Sequence, residues 1–414
     1  MLNYAFTFKK LITLVLTALL MTGAVSAQTK LVDLPPPVSD GAREPNLSRL
    51  PDGRILLSWT EPDGADFAVK TSILDGNVWS APQTVVQADD LFVNWADFPS
   101  VAAFADGTWA AHWLQYNGTS SYQYDVKVTL SPDEGMTWGT PFTLHDDRSQ
   151  TEHGFVSFQP FKQEMMAVWL DAGSYDNQAT DEDLGNAMQL RARTLSSKGA
   201  LGPDMLLDAR TCTCCQTSAA ATEDGDILSV YRDRSPTEIR DIALVRLKDG
   251  DWSQPTPVAN DGWEINGCPV NGPAIDAQGS SVAVAWFTAA DDQPAVNVAF
   301  SNDGGLGFEV PLQVDLGEPQ GRVDILMRDA GSAIVSWVEY TQEGEAILIC
   351  EVTPTQGCLT PLTVATSNSG PSIGFPRIAL GKEGVFLAWT APKDAIRQHP
   401  QGGTTIKVEF LRMQ

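Results

Sequence analysis

The sequence predicts an all-β fold, a β-propeller of seven four-stranded antiparallel blades, and three observations carry that prediction. The first is an apolar strand that ends in Trp or Tyr and returns along almost the whole chain. Its members end at Trp59, Trp113, Trp169, Tyr231, Trp286, Trp337 and Trp389, between 51 and 62 residues apart. A fixed period of this size marks a repeat architecture, and several short strands per period mark propeller blades. The second is a tight turn before that strand: Asp52-Gly53, Asp106-Gly107, Asp224-Gly225 and Gln278-Gly279. Asp-Gly between alternating apolar runs is a strong hairpin signal, because Gly accepts positive φ. The third is an aromatic-x-x-Pro segment late in the period: Trp79 with Pro82, Trp138 with Pro141, Trp252 with Pro255, and Phe308 with Pro311. Pro at that place suits an outer edge strand, which needs no ladder donor.

The elements follow in order. Residues 1–27 read as a signal peptide: Lys9 and Lys10, an apolar run from Leu11 to Met21, and the small-residue site Val25-Ser26-Ala27. The run is too short to span a bilayer comfortably. Residues 28–414 are then a single propeller domain, expected in the periplasm or outside the cell and expected to be a monomer. Lys30 to Leu34 looks like an outer strand without a blade of its own. The seventh unit, ending at Thr404 to Met413, lacks an outer strand. Pairing of the two would close the ring and remove the exposed edges of an open stack.

The formal net charge is −25. That charge disfavours nucleic acid and anionic membranes as partners. No further segment is apolar enough for membrane insertion, and no phosphate loop or nucleotide fingerprint is present. No cofactor can be named from the sequence.

Two turns carry more than hairpin chemistry. Ser131-Pro132-Asp133-Glu134-Gly135-Met136-Thr137-Trp138 has the form S-x-D-x-G-x-T-W, and Ser301 to Phe308 is a looser copy. Asp accepts backbone N–H bonds, Gly takes the left-handed angle, and the aromatic packs between sheets. These turns resemble the Asp-box of sialidase-like (BNR-repeat) propellers, where it is structural and lies away from the catalytic centre. Arg43-Glu44-Pro45 is similar to the R-I-P element of sialidases, whose Arg binds a sugar carboxylate. The resemblance implies an exported glycan-binding or glycan-hydrolysing propeller with an anionic ligand on its channel face. It places Arg322 and Arg377 as further carboxylate-binding arginines and Asp97 as the acid. The chain departs from the family in two respects. Sialidases have six blades, so a six-bladed ring is the alternative to seven. Their late Tyr nucleophile is also missing, because Gly374-Phe375-Pro376-Arg377 stands where its strand would begin. Tyr231 or Tyr340 would have to substitute.

Unit four is the most unusual. It opens Arg210-Thr211-Cys212-Thr213-Cys214-Cys215, and its middle loop runs Tyr231-Arg232-Asp233-Arg234 to Glu238-Ile239-Arg240-Asp241. Arg232, Arg234, Arg240 and Asp241 form either a self-satisfied salt-bridge network or an anion pocket, since Arg makes forked bonds to carboxylate, sulfate or phosphate. In the pocket reading, Glu238 partners Asp97 as a second catalytic carboxylate, and Asp324 is a ligand-binding residue along with Arg322. Cys212, Cys214, Cys215 and Cys268 fit a disulfide across neighbouring blades, a soft-metal thiolate site, or a redox-active thiol. The second of these supports the competing function, a non-enzymatic metal-binding or interaction propeller. Cys350 and Cys358 flank a short turn and fit a hairpin disulfide. His153 opens the third unit and is expected near the channel.

Overall fold

The computed structural model is a ring of seven antiparallel sheets. It describes residues 31–173, 187–367, 373–393 and 403–413. The expected signal segment, residues 1–27, lies outside the described residues. Among those residues no helix is long and apolar enough to cross a membrane.

The inner strands of blades 1 to 7 are Arg43–Arg49, Ser100–Ala103, His153–Phe161, Ser218–Ala221, Ala274–Gln278, Pro319–Asp329 and Arg377–Leu380. Each lies against the next, and the seventh returns to the first. The ring is therefore seven-bladed, and the six-bladed alternative is corrected. Each period of the sequence makes a complete sheet with its own inner strand. The closing strand is Leu31–Asp33, which pairs antiparallel with Thr404–Arg412 in the register Leu31 to Leu411 and Asp33 to Glu409. Leu34 continues the contact, its N–H donating to the Val408 carbonyl at 2.9 Å.

The core is divided among the seams. Seven apolar clusters lie one to each pair of adjacent blades. The repeating aromatic explains the period, because Trp59, Trp113, Trp169, Tyr231, Trp286 and Trp337 are fully buried in these seams. A buried indole N–H still needs an acceptor. Trp59 donates to Glu61 at 2.8 Å, Trp169 to Asp171 at 3.1 Å, Trp337 to Glu339 at 2.8 Å and Trp286 to Asp261 at 2.7 Å. Tyr231 keeps the pattern through its hydroxyl, which donates to Asp208.

The Pro of the late segment breaks the outer strand rather than sitting inside it. Blade 1 has Val78–Trp79 and Gln83–Ala88 on either side of Pro82, and both pair with the strand Asp66–Asp75. Blades 4 and 6 are split in the same way. A residue without an N–H interrupts the ladder, and the strand resumes beyond it. The Asp-box turn is structural: Asp133 accepts from the Thr137 N–H at 2.8 Å and its hydroxyl at 2.7 Å. Gly135 has φ +82°, and a Cβ there would meet the Trp109 ring at 2.9 Å.

Candidate functional site

Three inner strands enter the ring through a bulge. The register shifts between Arg43 and Asn46 in blade 1, Gly154 and Ser157 in blade 3, and Gly321 and Asp324 in blade 6. In each bulge a residue other than glycine takes the left-handed region: Glu44 at φ +58°, Phe155 at +53° and Arg322 at +54°. Such residues cost on the order of 1–3 kcal/mol each and cluster at functional sites, because a bulge re-aims side chains. Here the bulges turn Arg43, Glu44 and Arg322 toward one pocket.

That pocket has a volume of about 550 Å³ and is lined by Arg43, Glu44, Val93, Trp95, Arg322 and Gly374 among others, from blades 1, 6 and 7 and the loop entering blade 2. Trp95 is 49% exposed, so a large aromatic face stands open at the mouth. The Arg322 guanidinium lies over that ring, 5.2 Å from its centroid, and Phe375 stacks on the same Trp at 5.6 Å. Arg322 is held by Glu345 at 3.0 Å, and its backbone N–H donates to Asn271 Oδ1 at 2.8 Å. A narrower cavity of about 170 Å³ continues into the channel past Asp97, Phe98, Phe375 and Arg377. Arg377 lies 5.6 Å over the Phe98 ring and donates to Asn46 Oδ1 at 3.2 Å.

Two carboxyl groups at this mouth hold their protons unusually well. Burial pushes Glu44 up to about 8, against the opposing pull of Arg43 and a hydrogen bond with Thr60. Its Oε2 has no hydrogen-bond partner among the described residues. Burial pushes Asp97 up to about 7, although the Phe155 N–H donates to its Oδ2 at 2.7 Å. A Cβ on Gly154 would come within 2.1 Å of that oxygen, so this approach requires glycine. Glu44 also feels the charge of Asp97.

Of the residues singled out in the sequence, Arg43 and Arg322 line the mouth, and Asp97 and Arg377 line the cavity behind it. Asp324 lies beneath them as a support: it accepts from the Ile378 N–H at 2.9 Å and pairs with Arg377 at 3.4 Å.

The unit-four residues form a separate body, and their expected roles as ligand arms and acid are corrected. Glu238 is gripped by Arg234 at 2.6 Å and Arg240 at 2.7 Å, with Arg210 at 3.9 Å, so it is a counter-ion rather than an acid or base. Arg232 is buried, with its donors on the carbonyls of Asn271, Arg240 and Phe287. Asp241 accepts the N–H groups of Gly262 and Trp263 at 2.9 and 3.0 Å. Tyr231 cannot substitute for a nucleophile, because its ring is buried in a seam and Asp208 takes its hydroxyl. His153 is also internal: its ring stacks on His145 at 3.8 Å, and its Nε2 meets Asp147 at 2.9 Å.

Cys214 is bonded to Cys268 across blades 4 and 5, and Cys350 to Cys358 within blade 6. A set of four thiolates is thereby corrected, since two of the sulfurs are bonded to each other. Cys212 and Cys215 are free and buried. Burial alone would raise the Cys212 thiol, but its hydrogen bonds to Cys215 and the Cys214 backbone, with Arg232 and Arg240 nearby, hold it at about 6.

Sequence reasoning gave no role to Glu44 and did not single out Trp95. The available signal was the aromatic-rich run Phe92 to Phe98 just before the blade 2 inner strand.

No protein-family model matches the sequence, and no curated protein matches it. Solved structures match at the level of fold. A protein of unknown function from Dyadobacter fermentans is 14% identical at TM-score 0.50, over 93% of this chain and 98% of that one. Polysaccharide lyase Uly1 is 7% identical at TM-score 0.53, over 89% and 90%. The phage phi92 endosialidase is 9% identical at TM-score 0.50, over 93% and 69%. The protein shares a fold with these propellers. At such identities the likeness extends no further, since one fold hosts many functions.

Proposed function

We propose that this protein is an exported propeller that binds an acidic saccharide at the mouth between blades 1, 2, 6 and 7. The observation that carries the reading is the half-exposed Trp95 beneath Arg322, in a pocket that also holds Arg43 and Glu44. A flat aromatic face accepts the apolar face of a sugar ring, and a guanidinium fork accepts a carboxylate or sulfate. The strongly acidic chain repels long polyanions, which favours a short ligand. That two of the fold's other members are named as a polysaccharide lyase and an endosialidase adds weight to a glycan.

The same arrangement supports acid–base work. Glu44 keeps its proton up to about pH 8 and can donate it, and Asp97 is the second carboxyl that glycoside cleavage requires. With Phe375 where a Tyr nucleophile would stand, cleavage would proceed by activated water.

Titration calorimetry on the full chain tests the reading. Sialyllactose or a glucuronate-containing disaccharide should bind, and the same sugars with their carboxyl groups reduced to alcohols should bind at least about tenfold more weakly, as expected for a lost charge-assisted pair. Equal binding of the acidic and reduced sugars would remove the anionic part of the reading, and no binding of either would remove all of it.

A further inference from the structure

A buried cation, with no carboxylate in ion-pair contact among the described residues, lies close to two buried thiols. Arg232 is 1% exposed, and its guanidinium is covered by the Trp263 ring at 4.8 Å. Its Nε, Nη1 and Nη2 donate to carbonyls: Asn271 at 2.9 Å, Arg240 at 2.6 Å and Phe287 at 2.6 Å. Among the described residues no carboxylate lies within ion-pair distance of it, whereas its neighbours Arg234 and Arg240 share Glu238. Asp261 acts on Arg232 electrostatically from beyond ion-pair distance, and a closer anion relieves more of the cost of burying the charge.

The groups positioned to supply that anion are Cys212 and Cys215. They are 0% and 1% exposed, and Arg232 acts electrostatically on both. Arg240 Nη1 lies 3.6 Å from Cys212 Sγ. The sulfurs of Cys212, Cys214 and Cys215 all lie within 4.8 Å of one another. Cys214 is bonded to Cys268, which ties the loop to blade 5 and leaves two thiols as donors.

We propose that Cys212 and Cys215 bind one soft monovalent metal ion of the Cu(I) class as a two-coordinate dithiolate. Two thiols release two protons to solvent, two metal–sulfur bonds form, and no electron changes hands. The complex carries one net negative charge, and Arg232 with Arg240 compensates it. Thiolates select soft ions over Mg²⁺ or Ca²⁺. Structural zinc prefers four ligands, and the third and fourth sulfurs here are locked in a disulfide. This site is distinct from the saccharide pocket and stands without it.

The experiment is an anaerobic titration of the full, disulfide-intact chain with Cu(I) in competition with bathocuproine disulfonate. One ion per chain should be drawn from the chelator. Cys212→Ser and Cys215→Ser should each weaken retention at least about a hundredfold, with the fold checked by circular dichroism. X-ray absorption on the loaded wild-type chain should show a shell of two sulfurs, a result that does not depend on the variants folding. No ion drawn from the chelator, full retention by the double variant, or a shell of nitrogen or oxygen donors would each overturn the proposal.

Discussion

The guanidinium of Arg322 rests 5.2 Å above the ring of Trp95, joining the bulged inner strand of blade 6 to the loop that enters blade 2. The two residues are 227 positions apart in sequence. Only closure of the ring brings them together, so the binding surface is a consequence of the sevenfold fold.

Trp95→Ala should remove the stacking face and lower saccharide affinity about tenfold, as expected for an aromatic and cation–π contact worth on the order of 1–2 kcal/mol. The side chain is half exposed, so the melting temperature should change little. Arg322 is a poorer probe, because it also pairs with the buried Glu345. An affinity unchanged in Trp95→Ala, measured by calorimetry, would remove Trp95 from the site.

Glu44 and Asp97 are raised in the folded state to about 8 and about 7, from ordinary values of 4.5 and 3.8. Between the ordinary and raised values the folded chain keeps protons that the unfolded chain has released. The stability they contribute is complete in acid and is lost as pH rises through about 7 to 8. Glu44→Gln and Asp97→Asn remove that dependence. Urea unfolding at several pH values should show each variant gaining on the wild type as pH rises from about 5 to about 9. Parallel profiles would show that the two carboxyls are ionised at neutral pH.

Glu238→Gln should destabilise the chain by on the order of 3–5 kcal/mol, because buried guanidinium groups lose their shared counter-ion. Saccharide affinity should stay within about twofold of wild type, as for any site outside the pocket. A selective loss of affinity or activity with normal stability would restore Glu238 to the functional site.

Removal of residues 28–34 should expose the outer edge of Thr404–Arg412 and unseat Leu34 from the blade 7/1 seam. Lower denaturant midpoints and earlier proteolysis of the C-terminal strands are expected, since an uncovered edge frays and aggregates. An unchanged midpoint would mean that the ring closes without this strand.

Much of the fold was legible because its signals are local. A buried Trp or Tyr recurs in every stretch of sequence that makes a blade, and a glycine turn before it and a Pro after it recur in most of them. Arg43 and Arg377 were legible because each opens an inner strand, and Arg322 because it lies close to the start of one. Glu44 was not, because its role depends on the φ +58° bulge that carries it and on burial by residues far along the chain. Arg232 misled for the opposite reason. Its charged loop looks exposed, yet the strand Ile227–Arg232 carries it inward to the carbonyls of blade 5.

The most direct test is a crystal structure of the full chain with a short acidic saccharide. A sugar ring should lie on Trp95, with its acid group held between Arg43 and Arg322 and Glu44 facing a glycosidic oxygen. Density for the ligand at the opposite end of the channel, or on an outer blade face with the mouth unchanged, would contradict it.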